Sequence, residues 1–171
     1  MTNPPFSLAS LYMQQLIEYG KKFLIIGPLN LIKYKDTFPY FMKGQVWFGV
    51  NCVKSFTEPD GKTTKIANVV WYTNLDVKKH YEKLVLTEKY SPEKYLKYDN
   101  YDAINVDKTA DIPKDYTGVM GVPISYLMHH NPEQFEIVGE LNHGSDNEFD
   151  YANPMIDGKV KYMRILIRRR A

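Results

Sequence analysis

Asn3-Pro4-Pro5-Phe6 joins a side-chain amide, two successive prolines and an aromatic ring. These residue types could hold an exocyclic amino group on a flat heteroaromatic ring such as adenine while it is alkylated. The lone pair of that nitrogen is delocalised into the ring, which makes it a poor nucleophile. A pocket that accepts both of its N–H hydrogens draws the nitrogen towards tetrahedral geometry and returns the lone pair to it. The Asn3 side-chain oxygen supplies one acceptor and the carbonyl of Pro4 a second. Two prolines in succession fix φ at both positions, so that carbonyl is held before a substrate arrives. Phe6 offers a flat face to a base rotated out of a duplex. Extrusion costs a few kcal/mol, and one base–aromatic stack returns roughly 1–3 kcal/mol. A single ring beside the acceptors therefore offsets much of the cost. The plainer reading is that two prolines stiffen a terminal tail. With proline near 5% of average composition, this combination is expected in fewer than roughly one in fifty chains of this size.

The elements that must position these residues follow directly. Ser7 is placed to cap a helix whose apolar side reads Leu8, Leu11, Tyr12, Leu16 and Tyr19, and Gly20 ends it. Phe23-Leu24-Ile25-Ile26 is an unbroken apolar run, as in a strand buried on both faces. Loop, helix and buried strand in that order describe an active-site loop at the carboxyl edge of a parallel sheet. Gly27-Pro28 breaks the run, and a second helix follows with Leu31, Tyr34, Phe38 and Phe41 on one face, closing near Gly44. Residues 46–50 read as another buried strand. Strands over 52–56 and 65–72 flank the turn signal Glu58-Pro59-Asp60-Gly61.

From about residue 77 the pattern changes to short strands and loops rich in Tyr and Lys. Residues 142–150 read as an exposed polar loop, and residues 153–156 and 159–168 as a hairpin about Asp157-Gly158. The fold class is thus α/β over 1–76, followed by a mostly β lobe over 77–171.

The 171 residues are 44% hydrophobic and 14% aromatic, enough for a real core. A lone Cys52 argues for a reducing compartment. No stretch has the apolar length of a membrane span and the first residues carry no signal-peptide pattern, so a cytoplasmic location is expected. The net charge of +2 says less than its distribution, because all four arginines, Arg164, Arg168, Arg169 and Arg170, fall in the last eight residues. Lys78, Lys79, His80 and Lys83 form a second cluster. Lys78, Lys79, Arg168, Arg169 and Arg170 are the candidate contacts to DNA phosphates. Each patch also reads as a solvated face or a frayed basic tail.

Other constellations fare worse. Pro59-Asp60 with Asp76-Val77-Lys78 has the spacing of a metal-dependent nuclease. However, the intervening strand of about nine residues, at roughly 3.3 Å each, would hold the two carboxylates some 30 Å apart. His129-His130 and His143 lack metal-ligand spacing and read as a turn before Asn131-Pro132. Asp146, Glu148 and Asp150 lack the rest of a calcium loop. No metal is expected.

Taken together, the segments resemble the adenine-specific DNA methyltransferases of the EcoRI modification-methylase type. The likeness is carried by residues 2–7 and 22–27, and by Trp71-Tyr72-Thr73-Asn74-Leu75-Asp76. It continues through residues 97–104, Asp115-Tyr116-Thr117-Gly118 and on to Pro123, and the terminal residues 162–169. The resemblance implies methyl transfer from S-adenosylmethionine to an adenine in double-stranded DNA, within a restriction–modification system. It implies a partial Rossmann-like methyltransferase sheet and a recognition region after residue 50. It also carries the substrate-amine motif onto Asn3, Pro4, Pro5 and Phe6.

The glycine-rich cofactor turn of that family has no counterpart here, since the ten glycines contain no G-x-G. Cofactor-binding residues therefore stay unassigned. The chain reads as a carboxyl-terminal half, with little cofactor affinity or activity alone. Its expected partners are an upstream cofactor-binding half, or a second copy meeting an apolar sheet edge at residues 23–26. The alternative is a DNA-binding or interaction module that does no chemistry.

Overall fold

The apolar run after Lys22 forms strand β1 (Leu24–Pro28), with Ile25, Ile26 and Gly27 buried. The computed structural model describes residues 1–142 and 153–170, which form two compact units, Met1–Val77 and Lys78–Ala171. In the first unit β2 (Trp47–Cys52) is followed by the hairpin β3 (Ser55–Thr57) and β4 (Thr63–Lys65), then by β5 (Val69–Thr73). The sheet order is β1-β5-β2. β5 lies antiparallel to both neighbours, with Ile25 opposite Tyr72 and Phe48 opposite the same tyrosine, so β1 and β2 run in one direction. On the free side of β1, Thr2 makes a parallel bridge to Ile25.

The parallel sheet expected from the sequence is therefore corrected to antiparallel pairing, except at Thr2. The chain leaves β2 through an exposed hairpin and returns directly, with no helical crossover, and that connection yields antiparallel strands. Tyr72 anchors the layer. Its ring meets Phe41 and Phe48 edge-on at 5.9 and 5.3 Å, and its hydroxyl donates to the Pro28 carbonyl at 2.6 Å. Gly27 admits this ring, since a Cβ there would lie 3.2 Å from it.

Several local expectations change. Ser7 lies inside a 3-10 turn (Phe6–Leu8) and does not cap; α1 runs Ala9–Glu18 after Leu8. This helix buries Ala9 and Met13, while Leu8, Leu11 and Tyr19 are exposed. The second helix is a 3-10 turn (Leu29–Lys33) followed by α2 (Phe38–Met42), which buries Phe38 and Phe41. β2 is an edge strand with only Phe48 fully buried. The strand expected over 65–72 is divided at Asn68, whose φ of 58° interrupts it.

The second unit contains β6 (Ile104–Asn105), β7 (Met120–Val122), β8 (Phe135–Leu141), β9 (Met155–Ile156), β10 (Lys159–Val160) and β11 (Arg164–Arg169). Four of them form a sheet in the order β6-β7-β11-β8. The long terminal hairpin is corrected to the short β9–β10 pair, closed by Asp157 and Gly158 at φ 52° and 70°. β11 leaves it because Ile165, Leu166 and Ile167 are all buried and need strands on both sides. The Asp99 carboxylate holds the hairpin turn by accepting from the Asp157 and Gly158 amides at 3.2 and 2.8 Å.

Asn131 and Gln134 tie down the extended segment that opens this unit. Asn131 Nδ2 donates to the Tyr81 carbonyl at 2.8 Å, and Gln134 bonds both the amide and the carbonyl of Leu84. Residues 143–150, with His143, Asp146, Glu148 and Asp150, lie outside the described residues. Among those described, no helix is long and apolar enough to cross a membrane.

Candidate active site and nucleic-acid interface

Parallel pairing at the sheet edge positions the proline motif. The Thr2 amide donates to Leu24 O at 3.1 Å and the Ile26 amide to Thr2 O at 3.3 Å. Asn3 follows at once, heading for the carboxyl end of β1. Pro4 is buried, whereas Asn3 and Pro5 are exposed. Pro5 is extended (φ −53°, ψ 130°), and its carbonyl accepts from the Leu8 amide at 2.9 Å. These bonds occupy the carbonyls of Thr2 and Pro5. The Pro4 carbonyl and the Asn3 side chain are left without a hydrogen-bond partner among the described residues. Phe6, next in the turn, is 42% exposed. The arrangement can thus present two uncommitted acceptors beside an aromatic ring with open surface.

The sheet behind the motif is pinned at both ends. At the carboxyl end of β1 the Tyr72 hydroxyl holds Pro28, and burial pushes its pKa up, so it remains a donor. At the other end Thr73 Oγ1 donates to Phe23 O at 2.7 Å. The Asn74 amide there bonds both the Phe23 amide and the Lys21 carbonyl.

The basic candidates separate on inspection. Lys78 and Lys79 lie in a 3-10 turn, Lys79 pairs with Glu82, and His80 is buried, which removes it from the surface cluster. The arginines are no frayed tail, because β11 pairs with β7 on one side and β8 on the other. Arg164 points inward, donating to Asn105 Oδ1 at 3.2 Å and to Asp107 at 3.3 Å. Arg168 is matched across the strands by Glu136 at 2.6 Å. Arg169 and Arg170 line an open cleft of about 340 Å³ with Lys114, Asp115, Tyr116 and Thr117. There Arg169 donates to the Lys114 carbonyl, and Arg170 Nε donates to the Pro132 carbonyl at 2.7 Å.

Lys114 and Tyr116 are cleft residues that charge clustering along the chain misses. Tyr116 falls in the block of resemblance that begins at Asp115, whereas nothing in the sequence singles out Lys114. Nearby, His130 accepts at Nδ1 from the Tyr126 hydroxyl at 2.9 Å when that nitrogen is unprotonated. Burial chiefly, then Arg170 and His80, lowers the His130 pKa to about 4.

Residues 1–170 match the family described as adenine-specific methyltransferase EcoRI. The chain is 45% identical to the type II methyltransferase M.EcoRI of Escherichia coli, an alignment covering 99% of this chain and 57% of that protein. It is 35% identical to the type II methyltransferase M.MgeORF184P of Mycoplasma genitalium, covering 99% of this chain and 63% of that protein. The type II methyltransferase M.MpnI of Mycoplasma pneumoniae is 32% identical with the same coverage. No solved structure matches the chain. The chain spans 57% to 63% of the length of these relatives. It belongs to the EcoRI-type adenine-specific methyltransferase family.

Proposed function

We propose that this chain supplies the acceptor site and DNA-reading lobe of a site-specific DNA adenine methyltransferase that uses S-adenosylmethionine. The carrying observation is the Asn3–Phe6 stretch, where the Asn3 side chain and the Pro4 carbonyl are uncommitted beside a ring that is 42% exposed. Asn3 Oδ1 and Pro4 O each accept one N–H of the exocyclic amine of an extruded adenine. The nitrogen becomes pyramidal, and its lone pair turns towards an incoming methyl group. Phe6 stacks on the base and offsets part of the cost of extrusion. Because both prolines are fixed in φ, the acceptors do not reorganise as the nitrogen changes geometry.

The strand sequence Thr2–β1–β5–β2, with β5 alone reversed, supports reading the first unit as one flank of a Rossmann-like methyltransferase sheet. The described residues do not fit the methyl donor. Glycines with positive φ, namely Gly20, Gly44, Gly61 and Gly158, end helices or close hairpins and build no strand–turn–helix cradle. The chemistry assigned to this chain is therefore confined to the acceptor. Lys114, Arg169 and Arg170 are the favoured phosphate contacts of the second unit, with Lys78 and Lys79 contributing more weakly because Lys79 already faces Glu82.

The test is long-read sequencing of DNA from a methylation-deficient bacterial host producing this chain joined to the amino-terminal part of M.EcoRI. Methylation of the adenine amino group at one short sequence is expected, and it identifies the target. Methylated cytosine in its place would overturn the reading.

A further inference from the structure

Between β2 and β5 the first unit extends a two-stranded ribbon with Ser55 opposite Lys65, Phe56 opposite Thr64 and Thr57 opposite Thr63. Every residue of both strands is exposed. A lone hairpin is marginally stable at best, and this one places no buried residue in the core. Its bonding is internal. Glu58 Oε1 accepts from the Thr64 hydroxyl at 2.7 Å, and Asp60 Oδ1 from the Lys62 amide at 2.9 Å. Both carboxylates of the ribbon are thereby held in its turn. Lys54, Lys62 and Lys65 have no ion-pair partner among the described residues. Alternation sets Ser55, Thr57, Thr63 and Lys65 on one face, and Lys54, Phe56 and Lys62 on the other.

The topology sets this ribbon on a particular edge of the sheet. β1 and β2 run in the same direction as the Thr2 segment, and β5 runs against them. Asn3–Phe6 leaves at the carboxyl end of the Thr2 segment. The ribbon leaves at the carboxyl end of β2 and re-enters at the amino end of β5. Those are the same edge. β5 and β2 are two and three strand spacings from Thr2, or about 10–14 Å. That offset equals about three to four base steps of a duplex at roughly 3.4 Å per step.

We propose that the β3–β4 ribbon enters the major groove of the duplex whose base occupies the Asn3–Phe6 site, with Lys54, Lys62 and Lys65 meeting phosphates along the groove. The inference rests on the proposed function. A major groove about 12 Å wide admits a two-stranded ribbon. The unpaired lysines complement phosphate, and lysines on a hairpin edge oppose strand addition by another protein chain.

The experiment is fluorescence anisotropy of the whole chain on a labelled mixed-sequence duplex between 50 and 200 mM salt. The Lys54→Gln/Lys62→Gln/Lys65→Gln variant is compared with a Lys43→Gln/Lys89→Gln/Lys159→Gln control of equal net charge. The slope of log K against log salt should fall in magnitude by about 0.9 for each phosphate no longer neutralised, up to about 2.7 for the ribbon variant. The control should lower it by less than about 0.9, with melting temperatures of all three proteins alike.

Equal slopes in ribbon variant and control, while the parent binds, would overturn the ribbon assignment and leave the acceptor site standing. Failure of the parent itself to bind duplex at 50 mM salt would overturn both. A change from dimer to monomer in light scattering on removing the ribbon lysines would assign the ribbon to an interface between copies, against the proposal.

Discussion

Phe6→Ala separates base holding from chemistry. The ring lies in a turn closed by the Leu8 amide and the Pro5 carbonyl, a bond that alanine keeps. It is 42% exposed. Full burial of a phenylalanine is worth about 1.5–3 kcal/mol, so this ring contributes roughly 1–2 kcal/mol to the fold, and the variant should remain folded. Its open surface is what a base would cover. Losing one base–aromatic stack costs roughly 1–3 kcal/mol, or about a 5- to 150-fold shift of the extruded base back into the duplex. The assay is 2-aminopurine fluorescence at the target adenine of a duplex carrying the identified site, titrated with parent, Phe6→Ala and Phe6→Trp. The parent and the tryptophan variant should give a large emission increase, and the alanine variant a small one or a weaker affinity. If folded Phe6→Ala matched the parent in amplitude and in Kd within twofold, Phe6 would not hold the base.

Three further outcomes follow from other parts of the molecule. Asn3→Ala, in the chain joined to a cofactor-binding half, should lower single-turnover methylation by about 10²–10³ with DNA affinity unchanged; methylation at the parental rate would remove Asn3 from the acceptor role. Gly121→Ala should destabilise the second unit by about 1–3 kcal/mol in urea unfolding. Its Cβ would lie 2.7 Å from the ring of the buried Tyr98, and a change under about 0.5 kcal/mol would mean that the ring can yield. His130 has a pKa of about 4 in the fold against an ordinary 6.5, so stability is full above 6.5 and falls as pH drops towards 4. The loss is at most about 3 kcal/mol. His130→Gln should flatten that part of the stability–pH curve measured by urea unfolding, and an unaltered curve would show that another group is responsible.

The parts of the fold legible in the sequence are those whose cause is local. The β1 run and the turn at Glu58–Gly61 each depend on a few adjacent residues, and the structure has both, whereas Gly27-Pro28, expected to break the run, forms the last two positions of the strand, paired with Val70 and Val69. The insertion of β5 between β1 and β2 was not legible. It depends on residues 24–28 meeting residues 69–73, and neither segment's periodicity specifies a partner or a direction. The terminal arginines misled for a related reason. Charge dominates residues 164–170 as text, yet Ile165, Leu166 and Ile167 decide the outcome by requiring burial in a central strand. That requirement turns Arg164 inward to Asn105 and sets Arg168 opposite Glu136. A cluster of like charges is therefore a poor guide until the strand that carries it is known.

The candidate acceptor site shows the complementary case. Its residue types, an amide, two prolines and a ring, stand side by side in the sequence, and the acceptor role proposed for them rests on the resemblance and on their free hydrogen-bonding atoms. What the text could not reveal is how the surroundings treat each member. Burial of Pro4 and capture of the Pro5 carbonyl by Leu8 hold the loop from within the unit, and neither takes up the Asn3 side chain or the Pro4 carbonyl. Anchors and acceptors are thus different atoms of the same four residues. Rigidity costs this stretch none of its hydrogen-bonding capacity, which is what the proposed acceptor role requires if it is to match a nitrogen whose geometry changes during the reaction.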